Sequence, residues 1–264
     1  MSAPGRRALL VAYDGAAFFG FQRQPGFPTV QEELERAWAA VRDERAVMHG
    51  SGRTDSGVHA WGQVVHFHSE RPLAPERLRA ALNAYLPDEM VVRAAAEVGP
   101  EFHARASAYG KRYLYRVATS PVRPVLLAGR AAWERRPLDV AAMRAAARLL
   151  VGTHDFAAFA AAGRTTRTTV RTLRSVHLRE VRGGLILVFE GDGFLYRMVR
   201  NLMGTLLEVG RRRRAPEWAR SVLDSGERSR GGATAPAHGL CLWRVLYAED
   251  PFGSLLRGPS RPYP

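Results

Sequence analysis

The feature that most restricts the fold of this sequence is a succession of strand-like and helix-like apolar patterns, which occurs twice along the chain. Each half contains strand-like segments interleaved with two helices whose apolar residues recur at helical spacing. The strand-like segments are residues 8–13, 63–68, 90–98, 111–117, 172–181, 185–190 and 240–247. This pattern predicts an α+β protein with two related subdomains and mostly antiparallel sheets. We place the subdomains at residues 1–105 and 106–249, followed by a flexible tail at 250–264 that is rich in Pro, Gly and Arg.

Local sequence signals predict where helices and turns begin and end. Thr29 and Glu32 form a T-x-x-E capping box at the start of the first helix. Pro75 opens a second helix that Pro87 closes, and a helix over residues 139–151 is expected to end at Gly152. The Arg-Gly-Gly sequence at residues 182–184 predicts a tight hairpin between two strands.

The charge of the chain indicates a polyanionic partner. Its 264 residues include 39 Lys and Arg against 25 Asp and Glu, a formal net charge of +14. Guanidinium groups bind phosphate in a bidentate way and stack on bases, so nucleic acid is the predicted partner class. Residues 163–171, with three arginines and four threonines, are a candidate contact for a phosphate backbone. The four arginines at 211–214 follow a predicted helix end, where positive charge equally favours the helix dipole.

Composition also excludes several classes of protein. Cys241 is the only cysteine, which excludes an intramolecular disulfide and a cysteine-built zinc site or iron–sulfur cluster. Arginines interrupt every apolar run before it reaches the roughly 18 residues of a spanning helix, and the N-terminus lacks an apolar signal core. We therefore expect a soluble, cytoplasmic protein without a membrane partner.

The densest group of reactive side chains lies at residues 50–60, Gly-Ser-Gly-Arg-Thr-Asp-Ser-Gly-Val-His-Ala. Its three glycines allow a sharp bend and a close approach of substrate. The segment has neither the glycine pattern of a dinucleotide site nor the Gly-Lys-Ser/Thr of a phosphate loop. Because a carboxylate repels phosphate, Asp55 suits chemistry at carbon, at a proton or at a metal; the alternative is that it only forms an Asx turn.

The same loop resembles the signature of a known family. Gly52-Arg53-Thr54-Asp55, followed by residues 57–60 and 62–64, is similar to the catalytic loop of the tRNA pseudouridine synthase A family. Further blocks that match the family in order are residues 13–15, 20–22, 102–105, 111–115, 152–156, 194–200 and 235–240. Phe21 stands where the family usually has Trp, and the tail beyond about Glu249 has no family counterpart.

The resemblance implies a fold and an activity. Members fold as two pseudo-symmetric, ferredoxin-like subdomains that share a mostly antiparallel sheet, with a central basic cleft, and they work as homodimers. They are isomerases that convert uridine to pseudouridine in the anticodon stem-loop of tRNA, at positions 38, 39 and 40. The reaction involves no net redox change, so we expect no nicotinamide, flavin, nucleotide or other small-molecule cofactor.

The resemblance also assigns roles to four residues. Asp55 is the catalytic group; whether it forms an adduct with the base or the sugar, or acts through a glycal, stays open. Arg200 is expected to pair with this aspartate and keep it ionised. Arg53 is expected to help extrude the uridine or hold its phosphate, and Tyr113 to pack against the flipped base.

Two functions from other classes remain as alternatives. In a non-catalytic RNA-binding protein, Asp55 would have a structural use only. A metal-dependent nuclease would use Asp14, Asp55 and Asp192 as ligands. His66 and His68 share a strand face, but with His49 and His59 they do not form the spacing of a metal site, so we expect none.

Overall fold

The computed structural model describes residues 5–163 and 168–253 and has a mixed α+β fold. In this part of the chain the helices are α1 (Val30–Arg42), α2 (Pro75–Asn83), α3 (Val140–Arg148), α4 (Met198–Gly210) and α5 (Glu217–Ser225). The strands are β1 (Gly5–Tyr13), β2 (His49–Gly50), β3 (His59–Ser69), β4 (Met90–Val98), β5 (Ala108–Thr119), β6 (Ala132–Glu134), β7 (Gly152–Asp155), β8 (Val170–Val181), β9 (Gly184–Gly191) and β10 (Leu240–Tyr247). Among these residues, no helix has the length and apolar character needed to cross a bilayer.

The described chain divides into two compact units. The first comprises residues 5–109 and 242–253, and the second comprises residues 110–163 and 168–241. The sequence placed residues 106–249 in a single second subdomain, whereas most of the last strand groups with the first unit. The reason is that β10 lies next to β3, a strand of the first unit. Most of the expected tail, residues 254–264, lies outside the described residues.

The first unit is an antiparallel sheet with two helices. Its strands run in the order β4-β1-β3-β10, with the short β2 on β3. Residues 8–13 of β1 are all buried, so this strand is apolar on both faces. Trp38 of α1 packs on Phe67 of β3 with ring centroids 5.1 Å apart, and Leu78 and Leu82 of α2 are also fully buried. The helices therefore cover the sheet with the apolar faces that their periodicity predicts.

The start of α1 differs from the predicted capping box. Thr29 is the N-cap residue, but its side chain makes no cap hydrogen bond, and its buried Oγ1 has no hydrogen-bond partner. Instead, the first two amides of the helix donate to main-chain carbonyls, Val30 N to Gly20 O at 3.2 Å and Gln31 N to Phe21 O at 3.0 Å. The predicted capping box does not form, and main-chain carbonyls of the segment before the helix satisfy its first two amides.

Two other helices end earlier than expected. The helix α3 ends at Arg148, and Gly152, with φ 129°, begins β7 instead of closing the helix. The helix α2 ends at Asn83, whose side-chain amide accepts from Val92 N at 2.7 Å and donates to Val92 O at 2.9 Å. These two hydrogen bonds tie the end of the helix to the neighbouring strand β4.

The second unit is also mainly antiparallel. Its strands run in the order β5-β9-β8-β7, and β6 pairs in parallel with β5. The predicted hairpin joins β8 to β9. Gly183 and Gly184 both have positive φ there, and a Cβ on Gly184 would collide with the Val117 carbonyl oxygen. The helix α5 was not predicted, although Gly226, which adopts the left-handed conformation at its end, is the residue type that commonly stops a helix.

Three of the four arginines after α4 pair with acidic side chains of the second unit. Arg211 pairs with Glu134 and with Glu208, and Arg213 also pairs with Glu208. Arg212 pairs with Asp139 at 3.1 Å. These contacts favour the structural use of the run over phosphate binding. The other basic candidate, residues 163–171, includes four residues, 164–167, that lie outside the described part.

Three histidines meet in the first unit. The ring of His66 lies 5.1 Å from that of His49 and 4.5 Å from that of His103. His66 is buried, and its Nδ1 accepts a hydrogen bond from Ala104 N at 3.2 Å. Burial, reinforced by the charges of His103, His49 and Arg6, lowers the pKa of His66 to about 4. The imidazole therefore stays neutral inside the fold.

We expect His66 to make the protein sensitive to mild acid. Its pKa is 6.5 in the unfolded chain and about 4 in the fold, so between these values the unfolded chain binds more protons. The free energy of unfolding should therefore fall as the pH drops from 6.5 to 4, by about 3 kcal/mol in total from this residue. Urea unfolding at several pH values should show a shallower loss in His66→Gln than in the wild type. His68→Gln, which changes an exposed side chain of the same strand, is the control. An equal loss of unfolding free energy with falling pH in His66→Gln and in the wild type would contradict the assignment.

Candidate active site

Asp55 lies on a loop between β2 and β3 in the first unit. The loop leaves the sheet where Ser51 N donates to Val64 O at 2.8 Å, and it closes in a turn where Val58 N donates to Asp55 O at 3.1 Å. Asp55 is half-buried, and Arg53, two residues earlier, is exposed. The structure thus presents these two predicted residues on one loop.

A buried polar network holds this loop from beneath. The Gln63 side chain, fully buried on β3, accepts from Ser51 Oγ at 2.7 Å and donates to Gly52 O at 2.8 Å. The Tyr13 hydroxyl at the end of β1 lies 2.8 Å from Thr54 Oγ1. Since these groups are removed from water, loss of one partner leaves another unsatisfied. The network therefore fixes the residues on both sides of Arg53.

The segment before α1 supports the loop from the other side. Phe21 N donates to Thr54 O at 3.1 Å, and Gly57 N donates to Phe18 O at 3.4 Å. Gly20 has φ 92°, and a Cβ placed on it would lie 2.7 Å from Thr54 O. Only glycine combines this conformation with such a close approach. The contact joins the loop that carries Asp55 to the residues that cap α1.

The guanidinium of Arg53 is oriented by a chain of side-chain amides. Its Nε donates to Gln22 Oε1 at 3.2 Å, and Gln22 Nε2 donates to Gln31 Oε1 at 2.7 Å on α1. Arg53 nevertheless remains exposed. It can therefore offer its remaining N–H groups to an anionic ligand.

Tyr113 is a buried side chain of β5 in the second unit. Its ring meets Phe194 edge to face, with centroids 5.1 Å apart and an interplanar angle of 85°. Phe194 follows β9, a direct neighbour of β5 in the sheet. An aromatic ring held in this way has a fixed orientation, which a stacking role requires.

Arg200, on α4 of the second unit, is held by main-chain contacts. Its Nε donates to Ala235 O at 2.8 Å, while Ala235 N donates to Arg200 O at 3.1 Å. The Tyr115 hydroxyl donates to the next carbonyl, Pro236 O, at 2.9 Å. Burial raises the pKa of Tyr115, and the positive charge of Arg200 opposes that rise, so the two side chains interact electrostatically.

Asn201, the residue after Arg200, has a structural role that was not predicted from the sequence. This fully buried amide donates to Phe159 O at 2.8 Å and accepts from Arg228 and from Thr234. It thereby ties the segment before Ala235 to α4. A polar residue in an otherwise apolar helical stripe was the available signal.

Two of the three aspartates that the nuclease alternative would use, Asp14 and Asp192, accept hydrogen bonds from main-chain amides. Asp14 Oδ1 accepts from Ala16 N at 3.0 Å and caps a short turn, and Asp192 Oδ1 accepts from Thr172 N at 3.0 Å in the second unit. Within residues 5–163 and 168–253, no three His, Cys, Asp or Glu side chains are grouped so as to hold a metal ion.

Comparison with known proteins assigns the family. A family model described as tRNA pseudouridine synthase matches residues 9–105 and 146–248. The chain is 47% identical over 248 residues to tRNA pseudouridine synthase A of Shouchella clausii, covering 94% of this chain and 95% of the relative. It is 48% identical over 243 residues to the protein of the same name from Syntrophotalea carbinolica, covering 92% and 96%. The chain belongs to the tRNA pseudouridine synthase family. It is an isomerase that converts uridine to pseudouridine.

We expect the Tyr13 hydroxyl to support the catalytic rate through the position of the loop. Tyr13→Phe removes the bond to Thr54 Oγ1, and should lower kcat about tenfold because small displacements of a reacting group are costly. The KM for tRNA should change less than about twofold. Steady-state kinetics on a tRNA transcript measure both values.

Tyr247→Phe is a matched control for this variant. It also removes a buried tyrosine hydroxyl of the first unit, which donates to Ala104 O at 2.6 Å, away from the loop. Both substitutions should cost about 1 kcal/mol of stability, and only Tyr13→Phe should lower kcat. An equal effect of both on kcat would show that Tyr13 acts through global stability.

Proposed function

We propose that the chain isomerises uridine in the anticodon stem-loop of tRNA, at positions 38, 39 and 40, with Asp55 as the catalytic residue. The observation that carries the proposal is the loop of Asp55, which matches the family signature and is supported by buried hydrogen bonds on two sides. A rigid loop keeps a carboxylate at one place and orientation, as catalysis requires.

The reaction needs little beyond a well-placed carboxylate. The C1′–N1 bond of uridine breaks, the base rotates, and a C1′–C5 bond forms; C5 loses a proton and N1 gains one. Electrons and atoms balance without a second substrate, so the reaction needs no redox partner. A carboxylate either forms a covalent adduct or stabilises an oxocarbenium-like sugar, and both routes start from the ionised form of Asp55.

Three further residues bind the substrate in this proposal. A uridine inside a stem must leave the stack, at a cost of a few kcal/mol. Arg53 assists this step and holds the adjacent phosphate, which agrees with its exposed guanidinium. Tyr113 packs on the flipped base, and its contact with Phe194 supports that use. Arg200 supplies the positive charge that keeps Asp55 ionised.

The finer features of fold and assembly belong to the same proposal. They are two pseudo-symmetric, ferredoxin-like subdomains that share one mostly antiparallel sheet, a central basic cleft, a homodimer and a cytoplasmic location. The net charge of +14 supports a cleft that attracts tRNA. The antiparallel strands and two or more helices within each unit support related subdomains.

Asp55→Asn tests the proposed chemistry. It preserves the size of the side chain but cannot act as a nucleophile, so conversion of an unmodified tRNA transcript should fall about a thousandfold or more. Affinity for the tRNA should stay within severalfold. Carbodiimide-dependent primer extension locates pseudouridine, and stops are expected in the 3′ arm of the anticodon stem-loop. Retained conversion would remove Asp55 from the mechanism.

The same assay separates the alternative functions. Wild-type conversion should be complete in excess chelator, and Asp192→Asn should remain active. Strand cleavage that disappears in chelator would instead establish the nuclease. Tight binding without any conversion across several tRNAs would favour a non-catalytic RNA-binding protein.

Arg200→Ala tests the charge partner. Loss of the guanidinium should lower the single-turnover rate by about 100-fold or more, with tRNA affinity within severalfold. Arg200→Lys keeps the charge but cannot reproduce the fixed guanidinium fork, so partial activity is expected. An unchanged rate in Arg200→Ala would mean that another group keeps Asp55 ionised.

A further inference from the structure

Two phenylalanine rings form an exposed pair in the first unit. The rings of Phe19 and Phe27 have centroids 4.6 Å apart and are tilted by 38°, and the side chains are 48% and 47% exposed. Large apolar side chains are normally covered, and an exposed pair in mutual contact indicates an interaction surface.

The main chain holds both rings in place. Phe19 N donates to Pro28 O at 2.8 Å, and Phe27 N donates to Gln24 O at 3.3 Å. The Gln24 side-chain amide donates to Phe19 O at 2.8 Å. Because these bonds close a compact turn, the two rings present a preorganised surface, which lowers the entropic cost of binding.

The pair lies directly beside the loop of Asp55. Phe18 is buried and its carbonyl accepts from Gly57 N at 3.4 Å, while Gly20 packs against Thr54 O. Phe19, between these two residues, is the one whose ring faces outward. The chain neighbours of Phe19 on both sides therefore contact the loop of Asp55 through the main chain.

The charge near the pair fits RNA better than an apolar protein partner. Arg53 is exposed on the adjacent loop and is hydrogen-bonded to Gln22, three residues after Phe19. Aromatic rings on which bases stack, next to a guanidinium that donates hydrogen bonds to a phosphate, are the usual combination for binding unpaired nucleotides.

We propose that the Phe19–Phe27 pair is a stacking platform for an unpaired base of the tRNA substrate, next to the uridine that is isomerised. The inference rests on the proposed function and extends it to a second nucleotide. When a uridine leaves the stack, its neighbour loses a stacking partner, and these rings replace that partner. The platform therefore lowers the cost of extruding the uridine and adds affinity without reading the identity of the base.

The test compares variants of the pair with a matched exposed aromatic residue. Phe19→Ala should weaken binding of an unmodified tRNA transcript about tenfold, and Phe19→Tyr, which keeps a ring, should restore it. Phe19→Ala together with Phe27→Ala should weaken binding less than the product of the single effects, because the rings act as one surface. Tyr85→Ala, at a 54% exposed residue of the same unit, should leave affinity unchanged.

A crosslinking experiment identifies the occupant directly. A tRNA with 5-iodouridine beside the target uridine should crosslink on irradiation to a peptide containing Phe19 or Phe27, and mass spectrometry locates the residue. Light scattering on each variant reports the oligomeric state. A variant of the pair that changes the molecular mass would show that a second copy covers the rings and would overturn the proposal.

The outcomes separate this inference from the proposed function. If the wild type converts uridine but Phe19→Ala binds and reacts normally, the platform is refuted and the proposed function stands. If the wild type does not convert uridine, the proposed function is refuted, and the platform, which rests on it, is refuted with it. Crosslinks only to residues outside the pair would likewise refute the platform.

Discussion

The hydrogen bonds of one buried side chain, Gln63, underlie the organisation of the candidate active site. Its amide joins Ser51 Oγ and Gly52 O, so the loop that carries Asp55 is anchored to the central strand β3. A buried amide without these partners would be costly, and each partner would be costly without the amide. The loop and the strand therefore specify each other, and the position of Asp55 follows from the sheet.

The same loop connects to the rest of the first unit through main-chain contacts. Phe21 N binds Thr54 O, and the carbonyls of Gly20 and Phe21 accept from the first amides of α1. One short segment thus supports the loop of Asp55, caps a helix and presents the exposed ring of Phe19. Substitutions at Gly20 are expected to affect all three functions together, because its left-handed conformation and its contact with Thr54 O leave no space for a side chain.

The second unit likewise holds Arg200, a candidate site residue, through hydrogen bonds to its main chain. Asn201 and Arg228 tie the segment before Ala235 to α4, and Ala235 in turn binds both the side chain and the main chain of Arg200. Arginine has a long, flexible side chain, so a defined position costs conformational entropy. The fixed carbonyl of Ala235 limits that freedom before any substrate binds.

Much of the fold was predictable because its signals are local. The strands β4 and β10, the hairpin at Gly183 and Gly184, and the helix α4 follow from periodicity and turn residues. The signature around Asp55 identified the family from sequence, since a catalytic loop needs particular residues at particular spacing. By contrast, the cap of α1 and the end of α2 involve hydrogen bonds to residues outside these helices, which local helix signals do not show.

By itself the sequence determined the α+β class, the basic charge, the family and the composition of the loop that carries Asp55. Only the tertiary structure decided how that loop is held, which arginines are already paired and which aromatic rings stay exposed. Glu134, for example, engages Arg211 from 77 residues away in sequence, although the local sequence offers this arginine only Glu208. Such pairings depend on residues that meet only after folding, when burial and distance determine which polar groups find partners and which remain available to a substrate.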